Sequence, residues 1–342
     1  MFGKKLILHS TLIIPMQALR LDKSLSYRND IPIPELAAGE ALIELRLAGI
    51  CATDLELVQG YAGFSGILGH EFVGTVKAVA DDNHRDWLNR RVVGSINIGC
   101  KACEVCRRDG PEHCLNRKVL GIRGKDGVFA DYFSLPVTNL YAVPDAVPDQ
   151  AAVFTEPLAA ALRVVKQIAA IPVTGVAVVG PGRLGMLIAK VLSLAGYQVT
   201  VLGRSTSSLA LPKQWQLTTG LIAEIPDNCF DCVVDASGQA AGFAQALRIV
   251  KPRGTLVLKS TFAANAALDL SKVVVYEINI IGSRCGPFAD ALALLAEGKL
   301  PVETLIDGQY PLSDGLAALA HAAQAGVRKI LLQPALHSDY LQ

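Results

Sequence analysis

Four of the chain's eight cysteines stand within fifteen residues, as Cys100-x-x-Cys103-x-x-Cys106 followed by Cys114. Four thiolates at that spacing can surround one ion within a single lobe and complete a tetrahedral zinc shell with no open position. Such a site is structural, and a segment so poor in apolar residues would depend on the metal to fold. A second set is dispersed. Gly49-Ile50-Cys51-Ala52-Thr53-Asp54, Gly69-His70-Glu71-Phe72-Val73-Gly74 and Thr155-Glu156-Pro157-Leu158 together offer thiol, imidazole and carboxylate. The third set is Gly180-Pro181-Gly182-Arg183-Leu184-Gly185, a G-x-G-x-x-G. Alone that pattern is weak, but it falls between a predicted strand and a predicted helix, where the glycines permit a tight turn and close backbone approach to a pyrophosphate.

These residues must be positioned by two kinds of structure. From Gln17 to Ala80 short alternating segments such as 41–47 and 72–79 predict strands, and 129–135 resumes that character after the cysteine cluster. The first part of the chain therefore reads as mostly β. Beyond Pro148 the pattern changes: 150–170 has helical spacing, 176–179 is an apolar strand bounded by glycines, 184–194 is a helix and 198–202 the next strand. Strands at 231–235, 255–258 and 278–281 alternate with helical patterns such as 241–250, which predicts a doubly wound parallel sheet of the Rossmann type. Helices at 288–297 and 313–325 and a strand at 329–332 follow.

The choice of dinucleotide is read at the end of the second parallel strand. An NAD site carries Asp or Glu there, and this chain has Gly203, followed by Arg204 and Ser205. With no carboxylate to repel a 2′-phosphate and a guanidinium to pair with one, NADP is expected rather than NAD. Gly180, Gly182, Leu184, Gly185, Gly203, Arg204 and Ser205 are the expected cofactor contacts. Arg183, in the nucleotide loop, and Lys259, at the end of the fifth strand, are read as meeting phosphate or solvent. Arg284 is read as lining the cofactor site or making an ion pair, and Cys229 and Cys232 as packing.

The chain closely resembles the zinc-dependent medium-chain alcohol dehydrogenases, particularly the sorbitol, threonine and glucose dehydrogenase branch, whose last zinc ligand is Glu. The resemblance rests on the Gly-His-Glu motif, the four-cysteine lobe, Gly127-Val128-Phe129-Ala130-Asp131-Tyr132 and the nucleotide fold, and runs from about Met16 onward. It implies a GroES-like catalytic domain over 1–157 and 287–342, with the structural zinc lobe at about 97–116, and a Rossmann domain over 158–286. It also implies that Cys51, His70 and Glu156 bind a catalytic zinc, with Glu71 either behind the ligands or exchanging with Glu156. Thr53 would begin a proton relay, its hydroxyl both accepting and donating. Glu56 replaces the His often found three residues after Thr53, so the relay's outer end is Glu56 or water. The implied reaction is hydride transfer between NADP(H) and a secondary alcohol or polyol and its carbonyl, in a dimer or tetramer. Other readings are a reductase of the superfamily that does not use zinc in its chemistry, and a non-catalytic NADP-binding sensor.

Composition narrows the partners. The 342 residues carry 32 basic and 31 acidic side chains without a basic block, which argues against nucleic acid or an anionic membrane held by charge. No apolar stretch approaches the ~20 residues of a membrane helix. The clustered thiols fit a reducing cytoplasm. Lys4, Lys5 and the apolar 6–14 loosely imitate a signal peptide, but no small-residue cleavage site follows, so an upstream start or an extra edge strand is the expectation.

Overall fold

The computed structural model describes residues 15–173, 175–261 and 270–334. The reading of residues 1–14 lies outside them. The alternating half of the chain forms a six-stranded parallel sheet. Its strands lie in the spatial order Thr218–Leu221, Gln198–Gly203, Gly175–Val179, Phe230–Asp235, Val250–Leu258 and Asn279–Gly282. Winding reverses between Gly175–Val179 and Phe230–Asp235, and the crevice of such a sheet opens there, at the carboxyl ends. Val176, Ala177 and Val178 are wholly buried, as a strand covered on both faces requires. The edge strand Thr218–Leu221 has two threonines and a glycine, and no alternation marked it.

The mostly-β part is built on a seven-stranded sheet. Leu140–Ala142, Arg91–Gly94, Glu71–Val79, Glu40–Gly49, Lys329–Gln333 and Ile306–Pro311 follow one another, and Tyr132–Pro136 also pairs with Glu40–Gly49. The strand expected at 129–135 therefore begins later. Residues 129–131 instead bridge two sheets: Leu19 N–H, in the separate strand Pro15–Leu21, donates to the Phe129 carbonyl at 2.8 Å, and Leu45 N–H, in Glu40–Gly49, to that of Asp131 at 2.9 Å. Lys329–Gln333 returns from the far end of the sequence to lie beside Glu40–Gly49.

The single helix expected over 150–170 is two, Asp149–Ala152 and Thr155–Ile168. Val153 and Phe154, both buried, take up the break. Glu156 thus sits in the first turn of the longer helix. Among the described residues no helix is long and apolar enough to cross a membrane.

Candidate active site

Cys51 is the N-cap of the short helix Ala52–Val58. Its backbone N–H donates to Asp54 Oδ2 at 2.8 Å, the return half of a capping box. The other oxygen of the same buried carboxylate, Oδ1, stands 3.2 Å from His70 Nδ1. One side chain therefore fixes both the turn carrying Cys51 and the orientation of the imidazole. A carboxylate behind the far nitrogen of a ligating His is the usual way to set its tautomer. Burial disfavours the His70 cation, but Asp54 and Cys51 outweigh it and raise its pKa well above the ordinary value. Asp54 was given no role in the sequence reading, although an acid three residues after a helix-capping position was the available signal.

His70 follows Gly69, whose φ is +94° and where a Cβ would stand 2.3 Å from the Phe129 ring. Only glycine serves there. The donor atoms of Cys51, His70 and Glu71 lie within 4.8 Å of one another. Glu71 is also paired with Lys329 Nζ, each residue 1% exposed. Lys329 donates in addition to the Ile50 carbonyl at 3.2 Å and lies 5.7 Å from the Phe154 ring centroid. Glu71 faces Gly49 across the strand pair, and a Cβ on Gly49 would come within 2.5 Å of Glu71 Oε2. The sequence carries no signal for Lys329.

Glu156 is outside the 4.8 Å set but near enough to His70 and Glu71 to feel both. Burial raises its pKa, Glu71 adds to this, and His70, Lys259 and Lys329 oppose it. Thr53 Oγ1 lies 3.9 Å from Cys51 Sγ. Glu56 accepts from Thr261 Oγ1 at 3.4 Å, and burial raises its pKa.

The cysteine lobe is local and more open. Cys100, Cys103, Cys106 and Cys114 bring their sulfurs within 4.8 Å of one another. Cys103 caps the helix Glu104–Arg108 and accepts from Cys106 N–H at 3.4 Å, while Cys114 accepts from Cys100 N–H at 3.5 Å. Backbone N–H groups of Ala102 and Cys103 pull the Cys100 thiol down to about 6, whereas burial and the neighbouring sulfurs push Cys106 up to about 12. A set of four sulfurs sharing charge unevenly, with N–H groups aimed at them, fits a thiolate-bound ion.

In the nucleotide loop, Gly180 has φ +99° and a Cβ on it would lie 2.7 Å from Ser237 Cα. A Cβ on Gly185 would lie 1.9 Å from the Gly180 carbonyl, which explains the close approach of helix to strand, while one on Gly182 would meet nothing within 4 Å. Tight turn, open backbone and close packing are the three duties of a dinucleotide loop, so the loop fits a pyrophosphate. Leu184 is half-buried in the first turn of the helix Arg183–Leu194. Gly203 is packed against Ser208 and Leu209. Arg204 is exposed and donates to Gln239 Oε1 at 3.4 Å, and Ser205 exchanges hydrogen bonds with Ser207 and Ser208. Arg183 is half-buried, and its Nη1 donates to the Ile50 carbonyl at 3.1 Å. Lys259 is only 8% exposed, because Ser283 and the Arg284 carbonyl enclose its ammonium. Among the described residues Arg284 makes no ion pair, and it donates to the Glu112 carbonyl in the cysteine lobe.

Comparison with known proteins agrees with this architecture. The family model of the alcohol dehydrogenase GroES-like domain matches residues 37–145, and that of the zinc-binding dehydrogenases residues 184–297. Sheet, loop and ligand cluster thus define a zinc-binding dehydrogenase with a GroES-like and a Rossmann-type part. L-galactonate-5-dehydrogenase of Escherichia coli K12 is 28% identical over 84% of this chain and 88% of its own. Sorbitol dehydrogenase of Halalkalibacterium halodurans is 28% identical over 89% and 94%. A zinc-binding dehydrogenase from Sinorhizobium meliloti 1021, solved with NADP, superposes with a TM-score of 0.82 at 26% identity, covering 94% of this chain and 99% of that one. The chain belongs to the zinc-dependent medium-chain alcohol dehydrogenase family and is an enzyme acting on CH–OH donors.

Proposed function

We propose that this enzyme moves hydride between NADP(H) and a secondary alcohol or polyol and its carbonyl, with one zinc at Cys51, His70 and a carboxylate and a second in the cysteine lobe. The observation that carries the reading is the bond from Arg183, inside the nucleotide loop, to the carbonyl of Ile50, the residue before Cys51. It brings cofactor loop and metal cluster into contact, as hydride transfer demands.

Zinc, when bound, supplies a Lewis acid that favours loss of the alcohol proton, and NADP supplies the hydride acceptor. The protein's own residues do the rest. Asp54 holds His70, and Lys329 neutralises Glu71, which favours Glu156 as the carboxylate ligand and Glu71 as its exchange partner. Thr53 accepts the substrate proton at Oγ1 and passes its own outward, where Glu56, its pKa raised by burial, is a suitable acceptor. Arg204 and Ser205, with Gly203 in place of an acid, support NADP over NAD. The domain division expected from the sequence, 1–157 with 287–342 and 158–286, fits this division of labour. Exposed Leu270, Val274 and Val275 beside the open edge strand Asn279–Gly282 support a homodimer formed through that edge. Free thiols support a cytoplasmic location.

The test is the zinc content of protein purified without chelator, with dissociation constants for NADPH and NADH. Two zinc ions per chain and tighter NADPH binding are expected. One ion, with the Cys51 site empty after zinc is resupplied, overturns the mechanism in favour of a zinc-independent reductase or a sensor; tighter NADH binding overturns the NADP assignment.

A further inference from the structure

The end of the fifth parallel strand carries a residue that hydride transfer does not need. Lys259 follows Val250–Leu258, at the carboxyl edge where an open parallel sheet receives its ligands. Its ammonium donates to Ser283 Oγ at 3.2 Å and to the Arg284 carbonyl, both neutral acceptors. These contacts use two of its three N–H donors, and among the described residues no carboxylate bonds to it. Arg163 and Arg284 act on it as further cations, Cys285 is close, and Glu156 is the carboxylate that does most to stabilise it among the described residues. Burial in that company lowers its pKa to about 8. A buried cation without an ion-pair partner is expensive, and such groups gather where a ligand supplies the missing charge.

The proposed function sharpens this imbalance. Once Glu156 serves a metal, its charge is engaged there, and the buried Lys259 loses the carboxylate that most stabilises it, whereas Arg163 is half-buried and Arg284 is exposed. The same wall holds a second unmet group. Asn97, 2% exposed, donates from Nδ2 to Cys285 Sγ at 3.1 Å, while its Oδ1 has no hydrogen-bond partner. A buried amide oxygen without a donor suits a substrate hydroxyl.

We propose that Lys259 is a specificity-determining residue that binds an anionic end group, carboxylate or phosphate, on a polyhydroxy substrate whose secondary alcohol is oxidised at the neighbouring metal site. The inference rests on the dehydrogenase reading above. It makes a neutral sugar alcohol the poorer substrate, because a neutral end group would leave the ammonium buried and unpaired.

The experiment uses zinc-loaded protein and matched ligands of four to six carbons: aldonates, the alditols of the same chain, and their terminal phosphates. They are read by kcat/KM and by calorimetric titration in the presence of NADPH. The wild type should prefer one anionic class over the alditols by about 100-fold, the worth of one good charged contact. K259M should lose about 100-fold for that anion and at most about a tenth of that for the alditol, and K259R should recover most of the loss. Preference for aldonates identifies the end group as carboxylate, and preference for the terminal phosphates as phosphate. Preference for alditols, or equal losses for charged and neutral ligands in K259M, overturns the proposal. If nothing is oxidised, the dehydrogenase reading fails, and the calorimetric ratio of anion to alditol in wild type and K259M still decides the role of Lys259.

Discussion

The two clusters that could hold metal are held together by opposite means. The cysteine lobe draws its four sulfurs from residues 100–114, and much of it faces solvent. The Cys51 cluster draws on two separate segments, has Asp54 beside both, and is backed by an ion pair from a strand 258 residues further on. A local site can form whenever its metal is present, because little loop entropy opposes it. A dispersed site forms only when the whole sheet does, and then it is rigid enough to tune chemistry. The first kind is built to be filled and the second to work.

The contrast can be tested, beginning where the effect is largest. Cys103→Ser should open the lobe, since structural zinc supplies about 10–16 kcal/mol to small zinc domains. Hydrogen exchange should accelerate over 97–125 while the zinc at Cys51 remains; loss of both ions would mean the clusters are not independent. Cys51→Ser should lower turnover by about 1,000-fold or more, the worth of several kcal/mol of lost Lewis acidity. NADPH affinity should stay within about threefold, as expected for separate sites, measured by fluorescence titration. Lys329→Met should cost about 3–5 kcal/mol in denaturant unfolding by leaving Glu71 buried and unpaired. Adding Glu71→Gln should recover much of that, whereas a single variant no less stable than wild type would remove the ion pair from the account. The smallest effect is expected from Asp54→Asn, about 10- to 100-fold in affinity for the Cys51-site zinc with lobe zinc unchanged, by competition with a chromogenic chelator.

Legibility in the sequence followed the same divide. The cysteine spacing and the glycine loop are contiguous, so the clustering of four sulfurs and the turn between strand and helix could be read directly. The parallel strands at 175–179 and 230–235 were readable because both faces are covered and their central runs, 176–179 and 232–234, are apolar throughout. Thr218–Leu221, an edge strand with one neighbour, lacks that pressure and left no pattern. The break at Val153 and Phe154 was hidden because both residues are as apolar as the helices they separate. Lys329 and Lys259 were opaque for another reason. Nothing in a lysine's neighbours tells whether its ammonium will meet water, Glu71 across the sheet, or a serine on the next strand.

The strand that brings Lys329 to Glu71 also sets a timetable. A ribosome adding about 5–20 residues per second needs roughly 13 to 52 s to pass from one partner of that pair to the other, a separation of 258 residues. By then the six strands between 175 and 282 have all been made and can already be paired. The nucleotide-binding half is therefore ready first, and the sheet carrying His70 waits with an unneutralised acid at its centre. During that interval the nascent enzyme leaves the edge of Glu40–Gly49 that Lys329–Gln333 will cover open to chaperones or to aggregation.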